Sequence, residues 1–304
     1  MERRAYLAGH GAAVLTILIW GTTFISTKVL LRALNPVEIL FLRFALGFLA
    51  LCLACPRRLR LSERRQELWF AAAGLCGVTL YFLLENIALT CTMASNVGVL
   101  VSVSPLVTAL LAHCFLKGER LRPTFFAGLL CALAGVAVVS LNGSALALNP
   151  LGDVLALLAA AVWAVYSVLT RKIGSFGYAT VQSTRRIFLY GLIFMLPALP
   201  LLGFHPDPAA LARPEVLGNL LYLGLGASAL CFVTWNFALG RLGAVKTSVY
   251  IYLVPVVTVL TSALVLGEPI TPLGVLGMAL TLAGLALSEY RGKRREARPE
   301  GEPV

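Results

Sequence analysis

The chain has 304 residues, 59% of them hydrophobic and 13% charged, with a formal net charge of +11. Soluble globular domains carry about 25% charged residues, so this composition excludes an ordinary soluble fold. The excess of positive charge then has to be read from where the basic residues sit.

Apolar runs recur along the whole chain, and about 20 such residues suffice for one helical crossing of a bilayer. In chain order they are Ala8–Leu30, Pro36–Cys55, Leu68–Leu89, Ala94–Leu116, Pro123–Leu141, Gly152–Leu169, Ala179–Gly203, Val216–Leu239, Ala244–Leu266 and Thr271–Ser288. The runs are continuous rather than alternating, unlike the strands of a membrane barrel. The prediction is an all-α polytopic membrane protein with ten transmembrane helices. With a cytoplasmic amino terminus, the inner segments hold Arg3 and Arg4, the cluster Arg57 to Arg65, Lys117 to Arg122, Arg171 and Lys172, Arg241 and Lys246, and the basic run after Arg291. The outer segments keep only Lys28, Arg32 and Arg213. That bias is the positive-inside signature of a multi-pass protein of the cell (inner) membrane with both termini cytoplasmic. It makes the basic charge a topology determinant and leaves no reason to invoke nucleic acid.

No cleavable signal is expected, because the stretch after Arg4 is too long for a signal core and a second crossing follows at once. The cysteines, Cys52 and Cys55 included, lie mostly inside crossings and read as small apolar packing groups. No His, Cys and carboxylate cluster has metal-ligand spacing, and no GxxxxGK[ST] loop for nucleotide phosphates is present. No metal or cofactor is expected, and the intramembrane ionisable residues lack the clustering of an enzyme or the blandness of a scaffold.

The chain is also written twice. Tyr81-Phe-Leu-Leu-Glu-Asn-Ile-Ala-Leu89 and Ser104-Pro-Leu-Val-Thr108 return as Cys231-Phe-Val-Thr-Trp-Asn-Phe-Ala-Leu239 and Val254-Pro-Val-Val-Thr258, at an offset of 150. Trp20, Lys28 and Arg43 recur as Trp163, Arg171 and Arg186 at 143, and Pro123, Gly128 and Gly135 as Pro272, Gly277 and Gly284 at 149. The domain reading is a first repeat over 1–141, an external linker over 142–150, a second repeat over 151–290 and a disordered cytoplasmic tail over 291–304. Five crossings per copy make the second copy enter the membrane from the opposite side, an inverted repeat of the kind that supports alternating access.

Trp20-Gly-Thr-Thr-Phe24, Ala88-Leu89 with Ala94-Ser-Asn96, Ser104-Pro-Leu106, Gly118-Glu-Arg120 and Ala134-Gly135 resemble the drug/metabolite transporter superfamily, its EamA branch in particular. Asn236-Phe-Ala-Leu239, Val254-Pro-Val256, Leu266-Gly-Glu-Pro269 and Leu282-Ala-Gly284 repeat the pattern. The resemblance implies ten crossings in two inverted five-helix repeats and export of amino acids or other small metabolites. Fold alone does not transfer a substrate. The expected function is a secondary active transporter that exports such metabolites, coupled to protons or by exchange, as a monomer or a homodimer. Metabolite uptake is the alternative.

Candidate substrate-binding residues are the polar and aromatic groups inside the crossings. Arg43 and Arg186 are cations at depth, which usually face protein or an aqueous path, and either suits a carboxylate or phosphate fork. Glu85 has Trp235 as its repeat counterpart, so the shared scaffold does not require the acid. Either Glu85 carries a proton or binds an ammonium group, or it forms a structural pair with Arg43. Asn86 and Asn236 suit interhelical bonding or substrate contact. Trp20 with Tyr81, and Trp163 with Tyr166, are candidate cavity walls. Pro105 and Pro255, near the middle of crossings four and nine, each remove a backbone donor and mark paired bends, with Ser102 and Tyr250 beside them. His113, Glu119 and Glu268 read as packing or loop residues, and the Gly128/Ala132 and Gly277/Thr281 spacings as close helix contacts.

Overall fold

A computed structural model of the chain describes residues 2–115, 123–141 and 150–289. Among these residues every regular element is helical. The principal helices are α1 (Glu2–Leu30), α2 (Pro36–Ala54), α3 (Gln66–Cys91), α4 (Ala94–Phe115), α5 (Pro123–Leu141), α6 (Pro150–Gly174), α7 (Thr180–Met195), α8 (Pro214–Leu242), α9 (Ala244–Leu266) and α10 (Pro272–Glu289). Seven of them, α1 to α4, α6, α8 and α9, are long and apolar enough to cross a membrane. Shorter apolar stretches run over Phe126–Gly135 in α5 and Pro272–Gly284 in α10. The Gly118–Arg120 motif, Glu119, nearly all of the 142–150 linker and the 291–304 tail lie outside the described residues.

Helix starts follow local chemistry. Asn35 caps α2 by accepting from the Glu38 amide, and Glu38 returns a bond to the Asn35 amide, both at 2.9 Å. This reciprocal arrangement satisfies donors that a helix start leaves open, and Pro36 occupies the first turn, where its missing N–H costs nothing. Glu38 also accepts from the His205 amide at 3.0 Å, which fastens the α7–α8 connection to this end. Gly267, at φ +68°, ends α9 in the left-handed region that favours glycine.

Three expectations change. The run Ala179–Gly203 is not one helix: α7 stops at Met195, and a short helix, Ala198–Leu201, follows Pro197. Pro105 and Pro255 do not kink continuous helices. In α4, Ala94–Val101 ends in tight turns at Ser102 and Val103, and Pro105 is the second residue of a new segment, Ser104–Phe115. In α9, a 3-10 segment, Val249–Leu253, precedes Val254–Leu266, in whose first turn Pro255 sits. Proline is tolerated there because no intrahelical donor is lost. The expected small-residue contacts do form: a Cβ added at Gly135 would lie 2.5 Å from the Thr281 amide nitrogen, and one at Gly284 2.3 Å from that of Ala132.

Helix α1 packs on α8 and α9, and α6 packs on α3 and α4. Between them α2 meets α7 and α8, α7 meets α3, α4 meets α9, and α5 lies along α10. Two wide-turn π-helical segments interrupt the long helices, Leu75–Leu80 before Tyr81 in α3 and Tyr222–Leu230 before Cys231 in α8. The core is aromatic: Phe232 is surrounded by Trp20, Phe44, Phe82, Trp163 and Phe188 at centroid distances of 5.0–6.0 Å. Outside, leucines stand exposed all round the bundle, among them Leu53, Leu130, Leu201 and Leu264. A soluble monomer rarely tolerates so large an apolar surface, and a lipid-facing one requires it.

Candidate functional site

A cavity of about 30 Å³ lies at the centre of the bundle. Trp20, Thr23 and Phe24 reach it from α1, and Tyr81, Phe82 and Glu85 from α3. Val101 of α4, Trp163 of α6, and Ile251 and Val254 of α9 complete the wall. Val101 is the last helical residue before the break in α4, and Ile251 and Val254 lie in the 3-10 segment of α9 and just after it, so the two interruptions border the cavity although neither proline lines it. A space of this size holds one or two waters, and the chamber is therefore nearly closed in this structure.

Glu85 is the only carboxylic acid among the described residues of the wall and is 2% exposed, and its Oε1 has no hydrogen-bond partner. Tyr81, one helical turn earlier, interacts with its carboxyl. Arg43 lies behind Phe82, fully buried, with its guanidinium carbon 4.3 Å from that ring's centroid. Its Nε donates to Ser228 Oγ at 3.1 Å, and Nη1 and Nη2 have no partner. The two charges attract each other through the core, yet no Arg43–Glu85 ion pair within 4.0 Å forms. The structural-pair expectation is thus not met in this structure. Opposite charges at this depth are expensive, and each keeps bonding capacity unused.

The aromatic walls are partly as expected. Trp20 and Trp163 meet edge to face at 5.2 Å, Tyr81 lies 4.8 Å from Trp163, and all three line the cavity. Tyr166 and Trp235 pack one layer behind, at 4.8 Å from Trp163 and 5.1 Å from Trp20. The Trp235 indole N–H is buried without a partner, while Trp20 donates to the Ala227 carbonyl at 2.9 Å.

Other expected site residues make bonds away from the cavity, although the buried Asn86 Oδ1 has no hydrogen-bond partner. Asn86 donates to the Pro36 carbonyl at 3.0 Å. Asn236 accepts from Tyr166 at 2.9 Å and donates to Thr184 at 3.0 Å, so both amides join helices. The Ser102 hydroxyl is buried on the Val99 carbonyl at 2.5 Å, and Tyr250 bonds His10 near the start of α1. Arg186 is far from Glu85 in function: it pairs with Glu67, which also accepts from Tyr190 at 2.7 Å, and donates to the Leu59 carbonyl at 3.2 Å. His113 is exposed.

Sequence reasoning missed Thr23, Phe24, Phe82, Val101, Ile251 and Val254, which look like ordinary crossing residues. Glu268 lies in the connection after α9, as expected of a loop residue, and there it holds the start of α4. That carboxylate accepts from the Ala94 and Ser95 amides at 3.1 and 3.3 Å and from the Ser95 hydroxyl at 2.8 Å, at the start of α4. Lys28 Nζ stands 3.7 Å away and donates to the Thr92 carbonyl at 2.8 Å. The cluster ties the end of α1 and the start of α4 to the end of α9.

A lipid-facing helical bundle with buried charge beside a small central cavity is the frame of a polytopic membrane protein that handles a small molecule. The EamA-like transporter family model matches residues 7–141 and again residues 150–290, and the chain belongs to that family. An uncharacterized transporter of Archaeoglobus fulgidus is 32% identical, with 92% of this chain and 96% of that one covered. A "probable terminal-alkyne amino-acid exporter" of Streptantibioticus cattleyicolor is also 32% identical, covering 95% and 97%. A "probable amino-acid metabolite efflux pump" of Escherichia coli K12 is 28% identical, covering 94% and 96%. One solved crystal structure has a TM-score of 0.69 at 26% identity and covers 94% of this chain and 97% of its own.

Proposed function

We propose that the protein is a secondary active exporter of amino acids or closely related zwitterionic metabolites, working by alternating access and coupled to protons through Glu85. The observation that carries this reading is a pair of opposite charges with unused bonding capacity at one buried cavity: the Glu85 carboxyl on its wall and the Arg43 guanidinium behind Phe82. A guanidinium fork suits a carboxylate, and a carboxylate in the same site suits the ammonium group of the same substrate. The aromatic wall of Trp20, Tyr81 and Trp163 suits an apolar side chain and, facing a cation, adds attraction.

The architecture we propose is two five-helix halves, α1–α5 and α6–α10, inverted about an axis in the membrane plane, with both termini cytoplasmic in the cell membrane. Support comes from the packing, which is unchanged when the halves are exchanged. Helix α1 on α8 and α9 mirrors α6 on α3 and α4, while α2–α7, α4–α9 and α5–α10 map onto themselves. The π-helical segments end at Leu80 and Leu230, equivalent positions in the two copies. Export as the direction rests on the exporter and efflux-pump descriptions of the relatives.

The test is counterflow of labelled amino acids into proteoliposomes, with and without a pH gradient. Saturable exchange of α-amino acids, enhanced by the gradient, is expected. Absence of exchange across amino acids, their N-acyl derivatives and amines would overturn the reading.

A further inference from the structure

A second cavity, about 600 Å³ and open to the surface, lies where α2 ends and α7 begins, at the Arg-rich end of the bundle. Phe48 of α2 and Leu189 of α7 form its apolar walls, and Arg58, Gln182, Arg185 and Arg186 its polar mouth. Of the three guanidinium groups, only that of Arg186 has a carboxylate, Glu67. Arg185 donates to the backbone carbonyls of Cys55 and Arg57, the latter at 2.6 Å. Those bonds fix its position without neutralising its charge. Arg58 is exposed and makes no hydrogen bond or ion pair among the described residues.

The surroundings deepen this positive charge. Helix α7 starts here with no acidic residue in its first turn, and a helix N-terminus itself favours an anion. Arg185 and Arg186, in the second turn, add positive charge next to that end. Below the mouth the apolar wall is continuous with lipid-facing Leu49 and Leu53 of α2 and Leu189 and Ile193 of α7, all exposed. The ligand that satisfies both parts has an anionic phosphate head and a long apolar tail.

We infer that this cavity is a binding site for an anionic phospholipid. The phosphate lies on Arg58 and Arg185, with Gln182 beside it, and one acyl chain runs along Phe48 and Leu189 between α2 and α7. Basic clefts between membrane helices recognise such headgroups. A soluble phosphate shares the head chemistry but leaves the apolar wall uncovered. The site is separate from the Glu85 cavity and does not depend on what is transported there.

The experiment is native mass spectrometry of the full-length protein, purified in neutral detergent and titrated with phosphatidylglycerol or phosphatidylcholine. Wild type is expected to retain phosphatidylglycerol selectively. Arg58→Ala should bind it about fivefold more weakly, the effect of one arginine near an anionic lipid surface. Arg58→Lys should stay near wild type, and Arg32→Ala, at the opposite end, should be unchanged. Arg58 makes no bond, so its removal does not endanger folding, and Arg185→Gln gives a second measurement. Equal retention of both lipids, or no effect of Arg58→Ala and Arg185→Gln, overturns the inference. Complete displacement by inorganic phosphate also overturns it and assigns a soluble-anion site instead.

Discussion

Lys28 and Glu268 are 240 residues apart in sequence and 3.7 Å apart in the structure, and together they fasten α1 and the start of α4 to the end of α9. Glu268 also accepts three hydrogen bonds from Ala94 and Ser95. In the two-state cycle proposed above, opening this end has to break the cluster. Hydrogen bonds to a charged group contribute about 1.5–3 kcal/mol each when well shielded, and the partial exposure of Lys28 reduces its own share. Glu268→Gln should therefore shift the population toward a form open at the Lys28 end. An impermeant maleimide added on that side should label a cysteine placed at Thr23 about tenfold faster in Glu268→Gln than in the parent. Equal rates would show that the cluster does not hold this end shut.

Glu85 makes a sharper prediction about coupling. An acid that alternately holds a proton and the substrate ammonium leaves exchange intact but uncouples it when replaced by an amide. Glu85→Gln should keep counterflow and lose accumulation driven by a pH gradient. The wild-type rate should depend on pH and the variant's should be flat. A pH profile that survives the substitution removes Glu85 from the coupling step.

Arg43→Lys tests the carboxylate fork, because lysine keeps the charge and loses the planar pair of donors. The Km for carboxylated substrates should rise about tenfold, a loss of about 1.4 kcal/mol. The corresponding carboxamides should be little affected. Parallel losses for acids and amides would mean that Arg43 only supports the core through Ser228 and Phe82.

The α5–α10 contact should be intolerant of bulk. Gly135→Val and Gly284→Val would place side chains within van der Waals overlap of the Thr281 and Ala132 backbone. Overpacking of this kind costs about 1–3 kcal/mol, and two backbones leave less room to relax than side chains do. Thermal melts of the purified variants should fall by several degrees, with exchange per folded molecule retained. Unchanged melting would show that the two helices separate without cost.

The helix positions were largely legible because each is a long apolar run closed by charge, proline or glycine. Pro36 and Pro123 were even placed at the first residue. What the pattern hid was where an apolar run changes structure inside. Pro105 and Pro255 mark bends in the sequence but do not show that regular α-helical winding stops at Ser102 and over Val249–Leu253 and restarts one residue before each proline. Met195 to Gly203 was hidden in the same way. The aromatic wall was partly legible, because Trp20 and Trp163 recur at repeat-related positions and both line the cavity. Polar partnerships were not, since Arg186 with Glu67 and Lys28 with Glu268 join residues more than 100 positions apart. Arg43 and Glu85 were singled out by depth alone, and depth does not tell whether two charges meet.

The π-helical segment Leu75–Leu80 has a consequence for every residue that follows it in α3. A wide turn accommodates an additional residue without lengthening the helix by a full step, and each residue turns the helix by about 100°. Rewinding this segment as ordinary α-helix with all its residues kept would swing Tyr81, Phe82 and Glu85 by roughly that angle, whereas deleting one residue as it relaxes would leave them facing as they do. The carboxyl reaches the cavity wall because the wide turn upstream takes up one extra residue. Its aim is thus set by a spacing in the backbone that no side chain at the site supplies.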